Sequence, residues 1–432
     1  MTERTEPRPR PGWTFQRAVR VVVLSALVGV MAGLASGAFL RALDWATEER
    51  FDHPWFLYLL PIGGLVVGLV YHYGGGRSSE GNNLILDEIH EPTAWVPRQL
   101  APMVFAGTVV TQLFGGSAGR EGAAIQMAGS LSDVMSRRLH IDEDDRRILL
   151  VAAMAGGFGA VFGVPLAGAV FGLEVQRHVR RHLVAALPCL VAAVVGDSVV
   201  RLLGVDHALT PTLSSVPYSL SVMAKVALVG VAFGLTATVF TLSTHGIKRL
   251  MARTIAWAPA RPLLGGFAVI ALSLAFGTRI YNGLSEGLIE LSLFGGDVPT
   301  WGFAAKVLLT AVTLGTGFVG GEVTPLFVIG ATLGSTLGVA LGLPLPLVAA
   351  LGFVAVFGGA SHTPLACTVM GVELFGVAAL PHLALACFVA HLLAADRGIY
   401  GSKRGEQAVD HMPWIVMEIR HRRRGIRPAA AA

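Results

Sequence analysis

Charge is what this sequence has least of. Asp, Glu, Lys and Arg together make up 14% of its 432 residues, against about a quarter in an average soluble domain. A chain so poor in charge cannot coat a water-facing surface of its own size, which excludes an ordinary soluble enzyme and a disordered chain. Cysteine is nearly absent. Cys189, Cys367 and Cys387 sit in apolar runs at spacings that match neither a disulfide scaffold nor a metal site, and they read as small buried apolar side chains. The basic, Pro-rich start, MTERTEPRPRPGWTFQR, lacks the apolar core and small-residue cleavage site of a secretory signal. Residues 1–17 read as a short polar tail. No Ser/His/Asp, zinc or nucleotide-phosphate constellation stands out, so no enzyme activity, metal or cofactor is expected.

What is there is apolar. Hydrophobic residues make up 53% of the chain, with 53 Gly and 22 Pro. That is the composition of an all-α polytopic membrane protein. A spanning helix needs about 20 apolar residues. Val21–Leu43, Phe56–Tyr73, Ala101–Leu113, Ile148–Val175, Leu183–Leu203, Val222–Leu242, Leu263–Phe276 and Phe303–Gly320 are candidates, followed by an interrupted run from Pro325 to Leu393. Many are short or broken by Gly and Pro at membrane depth. Such breaks are tolerated only inside protein or along a cavity, which points to a transporter or channel. Basic clusters fall in the first 17 residues and at Arg137–Arg147, Arg177–Arg181, Lys248–Arg261 and Arg397–Arg427. They border apolar spans, so they mark cytoplasmic loops and tails rather than a nucleic-acid surface.

An internal repeat organises the chain. FGAVFGVPLAGAVFGLE begins at Phe158 and FGGASHTPLACTVMGVE at Phe357. Pro165 to Pro364 and Glu174 to Glu373 span the same 199 residues (364 − 165 and 373 − 174). SEG recurs at Ser79 and Ser285, and GREGAAIQM at Gly119 pairs with GEVTPLFVI at Gly321. Two homologous halves with matching interruptions place a transport site at their interface. The first half runs from about residue 18 to 204 and the second from about 220 to 400, with a basic cytoplasmic tail over 401–432. Whether the halves are inverted is not legible in the repeat itself.

Three segments carry chemistry. In FGGSAGREGAAIQMAG (Phe114 to Gly129) a Gly-rich stretch leads into a helix starting near Glu121. Helix N-termini bind anions through free amides and the dipole. Glu121 then reads as a tethered anion that occupies the amides when ionised and leaves when protonated or displaced. Desolvation favours its neutral form and the amides its charged one. The plainer reading is a capping Glu paired with Arg120. In GFVGGEVTPLFVIGATLG (Gly317 to Gly334) Pro325 marks another helix start, with Glu322 either a proton relay or a structural acid and Thr324 either a ligand or a plain N-cap. In SSEGNNLILDEIHEP, Asn82 and Asn83 either offer amide donors to an anion or simply cap a helix. Glu174 and Glu373, near helix ends, read as capping or pairing groups, and His362 as satisfied structure.

GREG followed by a small residue, GGxxxPL before GA, the Pro-Leu-Ala helix and the two-halved plan resemble the CLC chloride channels and proton-coupled anion antiporters, over roughly Val21 to Arg404. The resemblance implies a homodimer in the lipid bilayer with inverted halves and one anion pathway per subunit, helix N-termini converging on the anion. The departures are specific. The family's Gly-Ser-Gly-Ile-Pro is Gly81-Asn82-Asn83-Leu84-Ile85 here, its Gly-[Lys/Arg]-Glu-Gly-Pro ends in Ala123, and its Gly-x-Phe-x-Pro is Gly321-Glu322-Val323-Thr324-Pro325. This set is similar to the branch of fluoride/proton antiporters that export fluoride from the bacterial plasma membrane; the alternative is a chloride/proton antiporter or chloride channel. The resemblance implies Glu121 and Glu322 as gating and proton-coupling groups. It implies an anion site at Asn82, Asn83, Gly119, Arg120, Gly122, Val323 and Thr324, with Tyr400 at an inner gate. The inner proton-transfer Glu of chloride antiporters falls on Val175, which cannot titrate.

Overall fold

A computed structural model describes residues 14–176, 183–207, 210–213, 217–396 and 398–400. The first 13 residues, the basic cluster at 177–181, residue 397 and the tail 401–432 lie outside the described residues.

The described residues form sixteen α-helices and no extended strand. The first eight are α1 (Phe15–Asp52), α2 (Leu60–Gly74), α3 (Asn82–His90), α4 (Leu100–Leu113), α5 (Glu121–Arg138), α6 (Glu143–Phe162), α7 (Pro165–Glu174) and α8 (Ala186–Leu202). The second eight are α9 (Leu220–Thr254), α10 (Ala260–Ala275), α11 (Glu286–Leu293), α12 (Gly302–Gly315), α13 (Val323–Leu341), α14 (Leu345–Ser361), α15 (Pro364–Phe375) and α16 (Leu380–Leu393). Each starts between 194 and 205 residues after its counterpart. Four helical stretches are long and apolar enough to cross a membrane, namely Phe15–Asp52, Pro54–Gly74, Leu220–Thr254 and Val323–Leu341. The others are shorter, as the broken apolar runs predict.

The breaks have local causes. Ile148–Val175 reads as one apolar run but folds as two helices. Gly163 takes a left-handed conformation (φ 71°) at the end of α6, and Pro165 opens α7 without an N–H to continue the ladder. In the second half His362 does the same work at φ 60°, ahead of Pro364. Its Nδ1 lies 3.3 Å from Nδ1 of His391, which fits the structural reading of His362.

The two halves are inverted. The Glu373 carboxylate at the end of α15 accepts from the backbone N–H groups of Leu166 (2.9 Å) and Ala167 (2.7 Å) at the start of α7. Glu174, at the end of α7, accepts in turn from Leu365 (3.0 Å) and Ala366 (2.7 Å) at the start of α15. Each helix therefore ends where its counterpart begins, so the pair is antiparallel, and the capping role expected of both acids is met. Phe158 and Phe357, the repeated aromatics, stack across the same boundary at 6.0 Å between centroids. Phe171 and Phe327 complete that aromatic core, 4.3 Å from Phe158 and 5.5 Å from Phe357 respectively.

One face is basic. Arg17, at the start of α1, pairs with Asp145 at the start of α6 (2.8 Å), and Arg20 pairs with it as well. α1 runs away from this face and α2 returns to it. There Tyr71 and His72 line a cavity with Lys248 and Arg261.

Candidate anion-binding site

The site lies where the repeated loops meet. Gly119 and Gly321 exchange two backbone hydrogen bonds, N–H to O=C at 2.6 and 2.8 Å, in a short antiparallel bridge. The bridge brings the starts of α5 and α13 together. The first N–H groups of a helix have no partner within it, so two sets of free donors and two positive dipole ends share one place.

Glu121, the first residue of α5, fills that place and is fully buried. Its Oε2 accepts from the N–H of Arg120 (3.1 Å) and from that of Thr324 (3.0 Å). Its Oε1 accepts from the Thr324 hydroxyl. The carboxylate thus takes donors from both halves of the chain, and Thr324 contributes as hydroxyl and amide together. Gly119 makes room for it: a Cβ there would come within 2.7 Å of Glu121 Oε2 and 2.9 Å of Pro325 Cδ. Gly122 admits the third segment, since a Cβ on it would lie 3.0 Å from Asn82 Nδ2. Asn82 opens α3 after Gly81, whose φ of 60° turns the chain inward. Its Oδ1 is buried with no hydrogen-bond partner among the described residues.

A cavity of about 390 Å³ leads from the basic face to these residues. Asn82, Asn83, Gly321, Glu322 and Tyr400 line its inner end, and Lys248 and Arg261 its mouth. Tyr400 is 9% exposed, and its hydroxyl has no partner among the described residues. The N–H of Ile399, bonded to the Ala360 carbonyl at 2.9 Å, pins the segment that carries it.

The side chains of two expected residues point elsewhere. Arg120 offers its backbone N–H to Glu121, but its guanidinium pairs with Glu286, the first residue of α11, at 2.8 Å. Val323 opens α13 with its side chain in the hydrophobic core, away from the cavity wall. Val175 is buried and apolar, and the neighbouring Glu174 is committed to capping α15. Sequence reasoning missed Glu286 as the partner of Arg120; its signal was there, since it is the Glu of the second SEG.

Residues 62–395 match the family profile described as voltage gated chloride channel. The chain belongs to the CLC family. A chloride/fluoride channel protein of Pseudomonas syringae pv. tomato is 46% identical over 398 residues, covering 91% of this chain and 88% of that protein. The H(+)/Cl(-) exchange transporter ClcA of Cronobacter sakazakii is 25% identical over 339 residues, covering 72% of this chain and 71% of that protein. Among solved structures, a CLC-type fluoride/proton antiporter matches with a TM-score of 0.87 and 33% identity, covering 90% of this chain and 99% of that one. The CLC family member described here is thus a multi-pass membrane protein with the inverted, broken-helix plan expected of it.

Proposed function

We propose that the protein is a fluoride/proton antiporter, working as a homodimer that exports fluoride across the bacterial plasma membrane. The observation that carries this reading is the Glu121 carboxylate lying in donors supplied by both halves. An ionised carboxylate there is an anion on a tether. Protonation removes its charge and weakens its hydrogen bonds, which are strong because they are charge-assisted. The freed donors then suit a halide. Proton and anion thereby exclude each other at one place, which is the requirement for exchange. The inward proton gradient drives fluoride outward.

Fluoride is small and tightly hydrated, so a site must replace its water with close donors. The amides of Arg120 and Thr324, the Thr324 hydroxyl and the Asn82 side-chain amide supply them, with Gly119 and Gly122 keeping the backbone open. The names of the Pseudomonas relative and of the solved antiporter support fluoride as the anion. Because Val175 cannot titrate, Glu322 takes the second proton-handling position, beside Tyr400, Asn82 and Asn83 on the cavity wall. The basic face is cytoplasmic, and residues 18–204 and 220–400 form the two halves of the transport unit.

Purified protein in liposomes tests this. Fluoride efflux should exceed chloride efflux, and acidifying the outside should drive fluoride out. Chloride moving as readily as fluoride would return the protein to the chloride/proton exchangers. Fluoride flux indifferent to the proton gradient would make it a channel.

A further inference from the structure

The face opposite the basic one holds a second cavity. α12 fixes the geometry: near its start Lys306 reaches the carbonyls of Tyr281 and Gly283, while its last residue, Gly315, packs against Thr244 and Ile247 beside the large cavity. The two cavities therefore lie at opposite ends of a helix of about 21 Å. The second one has a volume of about 80 Å³. Its polar wall is Arg50, Arg279 and Asn282, and its apolar wall is Phe51, Pro54 and Leu57.

We propose that this cavity is a small-anion site in which the Arg50 and Arg279 guanidiniums share one halide. Arg50 stands on the last turn of α1 and is 9% exposed. Among the described residues it makes no ion pair, and its Nε is buried without a hydrogen-bond partner. The nearby acids are engaged or turned outward: Glu49 lies 3.2 Å from His53 Nδ1, and Asp52 is exposed. Arg279 donates to the Pro54 carbonyl, and its guanidinium lies 5.9 Å from the centre of the Tyr58 ring. No carboxylate lines the cavity among the described residues.

A third basic side chain stands next to the pair. Lys306 is fully buried and, among the described residues, bonded only to neutral oxygens: the Tyr281 carbonyl (3.0 Å), the Gly283 carbonyl (2.7 Å) and the Ser285 hydroxyl (2.9 Å). Arg50 Nη2 lies against the same Gly283, within 2.8 Å of where a Cβ would be. Buried cations without a counter-charge are costly, and apolar walls raise that cost by lowering the local dielectric. A bound anion offsets it. A water-sized guest needs about 10–15 Å³ of such space, so the cavity takes a halide with part of its hydration shell.

The site touches the transport machinery without belonging to it. Gly115, on its wall, opens the loop that leads to Glu121, and Asn282 Nδ2 holds the Gly115 carbonyl at 2.8 Å. The inference needs only that guanidiniums attract a small anion, so it stands whether or not fluoride is the transported ion.

Crystals of the full chain soaked in sodium bromide test it by anomalous scattering. A peak between Arg50 and Arg279 is expected in the wild type, and its loss in Arg50→Gln. Should that variant fail to fold, Arg279→Gln, at the half-exposed wall, serves in its place. The same substitutions should abolish a bromide-dependent rise in Tm, measured in detergent, that a Glu121→Gln variant retains. The proposal is overturned if the wild-type cavity shows no peak, or if Arg50 instead bonds Gln112 Oε1, which is also buried without a partner among the described residues. A peak of equal height in both variants overturns it as well, since that marks bromide binding at crystal concentration only.

Discussion

Glu121 carries three accepted hydrogen bonds on two oxygens, and two of them come from a residue 203 positions away. Glu121→Gln keeps the side chain's size but removes its charge and its proton. Proton uptake accompanying fluoride efflux from liposomes should fall to background, as read by a pH electrode beside a fluoride electrode. If coupled uptake persists at its wild-type ratio to fluoride, Glu121 is not the exchanging group. Gly119 supplies a sharper probe because it touches the carboxylate without titrating. In Gly119→Ala the new Cβ would fall within 2.7 Å of Glu121 Oε2 and 3.0 Å of the Thr324 nitrogen. Overpacking of this kind costs about 1–3 kcal/mol, or roughly 5- to 150-fold in occupancy of the cradle. Fluoride flux should fall by that order, and the Tm in detergent should drop by a few degrees as well, because the same strain weighs on the folded chain.

At the level of the helix, α7 and α15 hold each other by their ends, each capped by the other's last acid. Loss of a capping carboxylate costs about 1 kcal/mol, up to about 2. Glu174→Ala and Glu373→Ala should each lower the Tm in detergent by a few degrees and leave the preference for fluoride over chloride unchanged. The caps lie about 15 Å apart along the helix pair, beyond the range at which substitutions usually couple, so the double variant should lose the sum. A drop far larger than the sum would mean that one cap cannot hold without the other. The repeat made both acids legible as a pair, since equal spacing puts equivalent groups at equivalent helix ends. It did not say which helix each one caps, because the handedness of the repeat is absent from a one-dimensional pattern. The antiparallel Gly119–Gly321 bridge and the crossed caps supply it. Likewise the Pro-Leu-Ala segment was readable as helical, but the split of Ile148–Val175 at Gly163 and Pro165 was not, because apolar character runs unbroken through it. The convergence on Glu121 was legible from Gly-rich loops ahead of apolar runs. The turn of Arg120 toward Glu286 was not, since it depends on where α11 sits.

At the scale of the whole molecule, inversion makes the two faces chemically unequal although the halves are alike. Arg17, Arg20, Arg147, Lys248 and Arg261 gather where α1 begins and α2 ends. Asp52 and the Arg50 cavity lie where α1 ends. Cytoplasmic loops retain basic residues, so on the proposed orientation the large cavity with Glu322 and Tyr400 opens to the cytoplasm and the smaller one outward. The native thiols permit a direct check, because Cys189, Cys367 and Cys387 are all buried and the folded protein should be silent to a membrane-impermeant maleimide. Asp52→Cys should then label in intact cells. Arg253→Cys, at the exposed end of α9, should label only after the membrane is opened. Reversed accessibility would place the large cavity outside, although exchange would still carry fluoride outward against entering protons, because the gradients and not the insertion of the protein set its direction. Labelling of the unsubstituted chain in intact cells would mean that the helices around Cys189, Cys367 and Cys387 open far enough to admit the reagent.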